Sequence, residues 1–234
     1  SVYNTGIREP IKDLDSLPLP AWDLLPYLPK YYYTPAYSFN RSPSSSIITT
    51  RGCGFNCSFC FQQAFGRKVR SHSVDYTLKI IHNLYFDYGI RDIRILDDNF
   101  MLFKNRLLGI CEGIRKEKLA LSWSCLARVD MVDSGILKKM KLAGCWQISF
   151  GIESGCQEIL NSVNKNISLD KVERAVELTR KSGIKTLGYF MIGFPGEAEE
   201  TVYRTTKFAK RLGLDNFKMQ FLTPYPGSLL YERA

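Results

Sequence analysis

From residue 45 onward, short apolar runs alternate with longer amphipathic stretches. The runs are SSIITT (45–50), IRILD (93–97), LSWSCL (121–126), WQISFG (146–151), TLGYFMIGF (186–194) and NFKMQFL (216–222). Their length and their β-branched and aromatic content predict six strands. Between them Val74, Leu78, Ile81 and Leu84 recur at helical spacing, as do Leu107, Cys111 and Ile114, then Val172, Val176 and Thr179, then Val202, Ala209 and Leu212. Gly89, Gly144, Gly183 and Gly213 stand where helices should close and lead directly into strands, the place where glycine forms a left-handed cap at little cost.

Strand, helix and strand joined by short connections imply parallel strands with right-handed crossovers. Six such units fall two short of a closed eight-stranded barrel, which leaves an open partial barrel or a doubly wound sheet. The polar residues decide. Arg51 and three cysteines follow the first run, Asp97, Asp98 and Asn99 the second, and Arg128 and Asp130 the third. Gly151, Glu153 and Ser154 follow the fourth, Gly193, Pro195, Gly196 and Glu197 the fifth, and Thr223, Pro224 and Tyr225 the sixth. Parallel sheets carry their ligand sites at the carboxyl ends of strands, and contributions from six strands converge most naturally around a barrel axis. The expected fold is therefore α/β, a partial (β/α)6 TIM-like barrel.

Residues 1–44 break the pattern, with seven of the ten prolines and no period longer than a turn. Such a segment is an extended arm. Its Trp22, Leu24, Leu25 and tyrosines are too apolar for a free tail, so the arm should lie against the domain formed by residues 45–234. The chain opens on Ser1 and closes on SLLYERA, which reads as the middle of a helix. The expectation is a core excised from a longer protein.

At 234 residues and 45% hydrophobic content the chain can bury one sizeable core. No apolar run is long enough to span a bilayer and no signal peptide opens the sequence. Seven cysteines without an even framework, in a chain too large to need staples, point to a reducing compartment, the cytoplasm. The net charge of +9 would suit an anionic partner such as nucleic acid or a phosphorylated substrate. However, RKEK (115–118) and KKMK (138–141) read as solvated helix faces and no basic and aromatic stripe stands out, so nucleic acid is not the expected partner.

The densest chemistry is RGCGFNCSFC (51–60), which sets Cys53, Cys57 and Cys60 on a glycine-containing loop. Thiolates at this spacing can turn inward on one soft metal centre, with Gly52 and Gly54 letting the backbone fold tightly around it. Structural zinc would need a fourth ligand, and the only histidines are His72 and His82, neither in a zinc spacing. An electron-transfer ferredoxin needs four cysteines per cluster. Three thiolates on a four-iron cluster leave one iron open, which is what a catalytic metal needs. Cys111 lies on an apolar helix stripe and Cys145 opens a strand, which makes both packing residues; Cys125 and Cys156 fall near strand tops and are also read as packing.

The triplet Cys53, Cys57, Cys60, with Phe59 before the last cysteine, resembles the signature of the radical S-adenosylmethionine enzymes. The resemblance implies a 4Fe-4S cluster on the three cysteines and S-adenosylmethionine on its open iron. An electron from the cluster would cleave S-adenosylmethionine to a 5'-deoxyadenosyl radical that abstracts hydrogen from a small-molecule substrate, with an electron donor such as flavodoxin or ferredoxin. It further implies that Phe59 lies near the adenine and that main-chain oxygens of the Asp97, Asp98 and Asn99 turn receive the ligand's amino group. Glu153 would face its methionine or ribose part and Lys165 its carboxylate. Gly193 and Pro195 in GYFMIGFPGE and Thr223 in LTPYPGS would run along and close over it. The arm PIKDLDSLPLPAWDLLP together with WSCLARVD, FGIESG and FMIGFPGE resembles the cobalamin-dependent branch, in which a cobalamin-binding domain precedes the arm and the core serves methylation or ring formation. Two other classes stay open on residues alone: a radical tRNA-modifying enzyme, which would bind nucleic acid in a salt-dependent way, and a non-catalytic metal-binding module, which would carry zinc.

Overall fold

The computed structural model describes residues 3, 6, 8–26, 28–32, 39–61 and 65–233. After a short helix α1 (Leu28–Tyr31) the chain enters β1 (Ser44–Ile47), β2 (Thr50–Arg51) and β3 (Arg70–Ser71). Then α2 (Val74–His82), β4 (Asp92–Ile95), α3 (Lys104–Lys116), β5 (Ser122–Ala127), α4 (Ser134–Leu142) and β6 (Cys145–Glu153) follow. The last part comprises α5 (Gln157–Ser162), α6 (Leu169–Lys181), β7 (Lys185–Ile192), α7 (Glu199–Arg211) and β8 (Asn216–Phe221).

All six predicted strands are present and form one parallel sheet in the order β1-β4-β5-β6-β7-β8. A doubly wound sheet reverses its strand order at a switch point, and this one runs in sequence from edge to edge. The partial barrel is the result. Neighbouring helices pack on one another, α2 on α3, α3 on α4 and α4 on α6. Strand alternation sends Ile93, Ile95, Trp123, Cys125, Ile148 and Phe150 into the helix-facing core beside Leu107, Ile110, Leu137 and Met140. The opposite face is polar, with Ser44, Ser122, Ser124, Gln147 and Ser149 buried on it.

The first run ends in the sheet at Ile47, earlier than its sequence suggests. The reason lies across the sheet: the buried Asp97 carboxylate, just past β4, accepts the Thr49 N–H (2.5 Å), the Thr49 hydroxyl (2.6 Å) and the Thr50 N–H (3.0 Å). This turns the chain out of the sheet and lets β2 pair antiparallel with β3. Besides the one-turn α1 of the arm, two helices lack a counterpart among the predicted periods. In α4, Asp133 caps the Ile136 N–H and Ile136, Leu137 and Met140 are buried; α5 is only six residues long. Gly89, Gly144, Gly183 and Gly213 all have positive φ, as expected of caps. SLLYERA is not the middle of a helix: a turn leads into a short 3-10 segment at Tyr231–Arg233.

The arm lies against the domain, though not with every apolar residue. Leu14 and Leu28 are buried, and Leu19, Trp22 and Leu25 pack on the core. Leu24, Tyr31 and Tyr32 are exposed instead. Tyr27, Tyr33 and Tyr37 lie outside the described residues. Polar contacts fix the arm as well. Asp15 accepts the Ser73 N–H (3.0 Å) at the start of α2 and pairs with the buried His72 ring (3.1 Å). Tyr76 donates its hydroxyl to the Leu17 carbonyl (2.6 Å). The basic runs are solvated: Arg115, Lys116 and Lys118, then Lys138, Lys139 and Lys141, are exposed. No helix among the described residues is long and apolar enough to cross a membrane.

Candidate active site

The cysteine loop is closed at its base by the Arg51–Arg70 pairing of β2 with β3. Gly52 sits there at φ 93°, and a Cβ would meet the Gly66 carbonyl oxygen at 2.8 Å and that of Lys68 at 3.0 Å. Only glycine fits. Gly54, expected to share this task, has open space around it and no positive φ, so the tight fold depends on Gly52 alone. The Ser58 N–H donates to the Val163 carbonyl (2.9 Å) and the Ser58 carbonyl accepts the Leu230 N–H (2.9 Å), tying the loop to the body.

Aromatic rings and cations set the rest of the loop. The Arg128 guanidinium lies 3.6 Å from the centroid of the Phe55 ring, and Lys165 Nζ 5.8 Å from that of Phe59. Phe59 also meets the Phe194 ring edge-on at 5.6 Å. Buried cation and ring contacts of this kind contribute about 2 kcal/mol when desolvated.

All three thiols are free. Cys53 and Cys57 are half-buried, and the Cys60 residue is exposed. Burial pushes the Cys60 thiol up to about 11, with the neighbouring Cys57 and Cys53 charges adding to the rise. Burial likewise raises Cys57, while Lys165 and Arg128 pull against it. Thiolates that repel one another are what a cationic centre among them would stabilise, so the donor set fits an iron-sulfur cluster. Among the described residues no three His, Cys, Asp or Glu side chains converge on a position for a single ion. A four-iron cluster is a larger body and takes each thiolate on a different iron. Neither histidine joins the cysteines in an observed contact. His72 is held by Asp15 and stacks on Tyr76 at 4.4 Å, and His82 pairs with Glu117 on the surface.

Beside the loop, β6 ends in a bulge between Gly151 and Glu153. Glu153 has φ 71°, a left-handed conformation that costs a non-glycine residue roughly 1–3 kcal/mol and recurs at functional sites. The bulge aims its carboxylate at Lys165, whose Nζ donates to Oε1 at 2.7 Å with both side chains buried. Lys165 is itself presented by two left-handed asparagines, Asn164 and Asn166. At Gly151 a Cβ would lie 2.6 Å from Glu153 Oε1 and 3.1 Å from Lys165 Nζ, so the glycine clears the space for the pair. Arg128 braces the group from below: it chelates Asp130 through two bonds of 3.1 and 3.0 Å and donates to the Lys165 carbonyl at 3.1 Å.

These elements surround a cavity of about 470 Å³ at the carboxyl ends of the strands. Of the residues singled out by sequence, Phe59, Cys60, Asp98, Glu153, Lys165 and Thr223 line it. Four others stand elsewhere. Asp97 has its carboxylate on Thr49 and Thr50, and Asn99 is buried with neither amide atom partnered. Gly193 donates its N–H to Glu197, and Pro195 borders a separate cavity of about 300 Å³ with Ser58 and Val163. Cys57 and Cys60 also border a cavity of about 280 Å³ with Asn56 and Arg67. Tyr189 and Met191, which also line it, belong to GYFMIGFPGE, the segment expected along the ligand, whereas Arg128, Gly151 and Gln220 line the main cavity without having been singled out as ligand contacts. The signal available for Arg128 and Gly151 was their place just after a strand. Cys111, Cys125, Cys145 and Cys156 are all buried and line none of these cavities.

The family model for the Radical SAM superfamily matches residues 47–209, most of the chain. The chain belongs to that superfamily. With it come the superfamily's enzymatic character and its cofactors, a 4Fe-4S cluster and S-adenosylmethionine, which sets aside the reading as a non-catalytic metal module. Among curated proteins the chain is similar to an uncharacterised methyltransferase of Pyrococcus horikoshii, with 39% identity over all of this chain and 50% of the relative. It is also similar to the anaerobic magnesium-protoporphyrin IX monomethyl ester cyclase of Rubrivivax gelatinosus, with 30% identity over 99% of this chain and 41% of the relative. The chain thus spans half or less of the length of these relatives. Among solved structures, the radical S-adenosylmethionine methyltransferase TsrM of Kitasatospora setae, with cobalamin and a [4Fe-4S] cluster bound, superposes with a TM-score of 0.73. That match has 22% identity and covers 80% of this chain and 35% of TsrM, a likeness of fold.

Proposed function

We propose that Cys53, Cys57 and Cys60 hold the cluster and that the cavity beside Cys60 takes S-adenosylmethionine, in service of cobalamin-dependent methyl transfer or ring formation on a small molecule. The observation that carries this reading is a shared wall: Cys60 lines the same cavity as the buried Glu153–Lys165 pair. When bound, the cluster supplies the electron that splits S-adenosylmethionine into methionine and a 5'-deoxyadenosyl radical able to take hydrogen from a substrate.

The chain's own residues do the positioning. Glu153 offers an acceptor and Lys165 a donor to a ligand that carries both an amino group and a carboxylate, and Phe59 and Met191 give the cavity apolar walls. Asp98 and Thr223 reach the cavity directly, whereas Asp97, Asn99, Gly193 and Pro195 contribute through the turns they shape. The methyl-transfer or cyclisation assignment draws on the names of the relatives. Residues 1–44 are read as the junction to an upstream cobalamin-binding domain, and a small redox protein such as flavodoxin or ferredoxin as the electron source in the cytoplasm.

The test is to supply this chain, and the protein lengthened upstream, with S-adenosylmethionine and a strong reductant, following 5'-deoxyadenosine and bound corrinoid. The core should release 5'-deoxyadenosine slowly without methylating, because a methyl donor must be held within about 3–3.5 Å of its acceptor. Absence of corrinoid from the longer protein would remove cobalamin from the proposal. Methylation by the core alone would remove the junction.

A further inference from the structure

A further cavity, of about 390 Å³, lies between the arm and β1, the edge strand of the sheet. Ile47 and Ile48, where β1 ends, and Leu17, Pro20 and Trp22 of the arm give it apolar walls. It shares no lining residue with the cavity beside Cys60. Its size is that of a small-molecule site, which runs from about 300 to 1,000 Å³ and combines apolar walls with a few polar groups. Arg51 supplies the charge. Its half-buried guanidinium lies 5.7 Å from the centroid of the Phe65 ring, and its side chain forms no ion pair or hydrogen bond among the described residues. The acids that act on the neighbouring His72 and Arg106 are engaged elsewhere. Asp15 holds the Ser73 N–H and the His72 ring, and both oxygens of Asp97 hold Thr49 and Thr50. Arg70, beside Arg51 in the β2–β3 pair, donates to the Ile11 and Phe65 carbonyls, and Arg106 to the His72 carbonyl and the Thr77 hydroxyl. Burial holds the His72 ring below its ordinary value of 6.5, and the charges of Arg106 and Arg51 add to the effect, the mark of a positive field in this place. The wall carries a second donor, since the Trp22 indole N–H is buried without an acceptor among the described residues.

We infer that this cavity is a separate ligand site, for a small molecule that joins a carboxylate or a phosphate to an apolar body: Arg51 pairs with the anion, and Trp22, Pro20, Ile48 and Leu96 receive the body. A half-buried guanidinium gives up part of its hydration, and an anion offsets that loss. The guanidinium fork matches carboxylate and phosphate geometry. Ile48 and Leu96 line the cavity while 49% and 39% exposed, so an apolar body laid on them removes hydrophobic surface from water. Arg51 stands two positions before Cys53, which puts the occupant at the base of the cysteine loop and outside the space beside Cys60.

The experiment titrates phenylacetate, phenyl phosphate and the neutral phenylacetamide into the reconstituted protein, read by calorimetry and by tryptophan fluorescence. Saturable one-site binding of at least one anion is expected, about tenfold or more tighter than the amide, the worth of a charged hydrogen bond. Which anion binds more tightly tells carboxylate from phosphate. A fluorescence change should accompany binding and vanish in Trp22→Phe, since Trp123 and Trp146 do not line this cavity. Arg51→Gln should abolish the preference for the anion over the amide, and Ile48→Glu should weaken the anion about tenfold by repulsion. Lys116→Gln, on the exposed end of α3, should change neither. Should Arg51→Gln fail to fold, Ile48→Glu carries the test, because Ile48 is exposed. Anions that bind no better than the amide, that bind Arg51→Gln and Ile48→Glu as they bind wild type, or that still change the fluorescence of Trp22→Phe overturn the inference.

Discussion

Lys165 Nζ and Glu153 Oε1 lie 2.7 Å apart, buried, at the wall that Cys60 also lines. A residue in a left-handed conformation, a bulge and a glycine that clears the space all serve to bring these two charges together. Ion pairs kept only for stability do not need such an arrangement, since apolar residues of similar volume often serve as well.

Glu153→Gln should therefore act twice. It should lower S-adenosylmethionine affinity about tenfold or more, the worth of one charged hydrogen bond. It should also destabilise the fold by about 3–5 kcal/mol, because Lys165 is left as an uncompensated buried charge. The double variant Glu153→Gln/Lys165→Met should regain much of the stability and none of the affinity. Paired denaturant melts and binding titrations separate the two effects; affinity unchanged in the single variant would return Glu153 to a structural role.

Arg128→Lys keeps the charge but loses the guanidinium contact over the Phe55 ring and the paired hydrogen bonds to Asp130. The cluster should then be lost to a chelator several-fold faster, with the thermal midpoint moved by a few degrees at most. Equal rates of cluster loss in the variant and wild type would show that the Phe55 contact does not hold the loop.

Arm docking should weaken in acid. Burial holds His72 below the ordinary histidine value of 6.5, against the opposing pull of Asp15. The folded state thus favours the neutral ring, and the stability it contributes is present above about 6.5 and lost as pH falls toward the lowered value. For Asp15 burial is outweighed by the hydrogen bonds from Ser73 and His72, so its carboxyl lies below 3.8 and its contribution is lost only in stronger acid. Limited proteolysis of the arm should quicken between pH 7 and 5.5, and His72→Phe should flatten that dependence. A flat profile in wild type would exclude His72 as the titrating contact.

The six strands and the parallel order were legible because each apolar run is short and separated from the next by a helical period. The three thiols and Glu153 were legible from spacing and from their place at strand ends. What stayed hidden is tertiary. Asp97 reads as a ligand-side turn residue, and only the folded chain shows its carboxylate drawing Thr49 out of the sheet. In α4 the lysines of SGILKKMKL break up an apolar stripe that Ile136, Leu137 and Met140 nevertheless form. Nothing in the local sequence of Arg128 announces that it will lie over Phe55, some seventy positions earlier.

The most direct test of the account is anaerobic reconstitution with iron and sulfide, followed by S-adenosylmethionine and a strong reductant. About four irons per chain are expected, together with 5'-deoxyadenosine release. Alanine at Cys53, Cys57 or Cys60 should abolish both, and Cys111→Ala neither. Zinc at full occupancy with no iron uptake, or four irons with no 5'-deoxyadenosine formed, would contradict it.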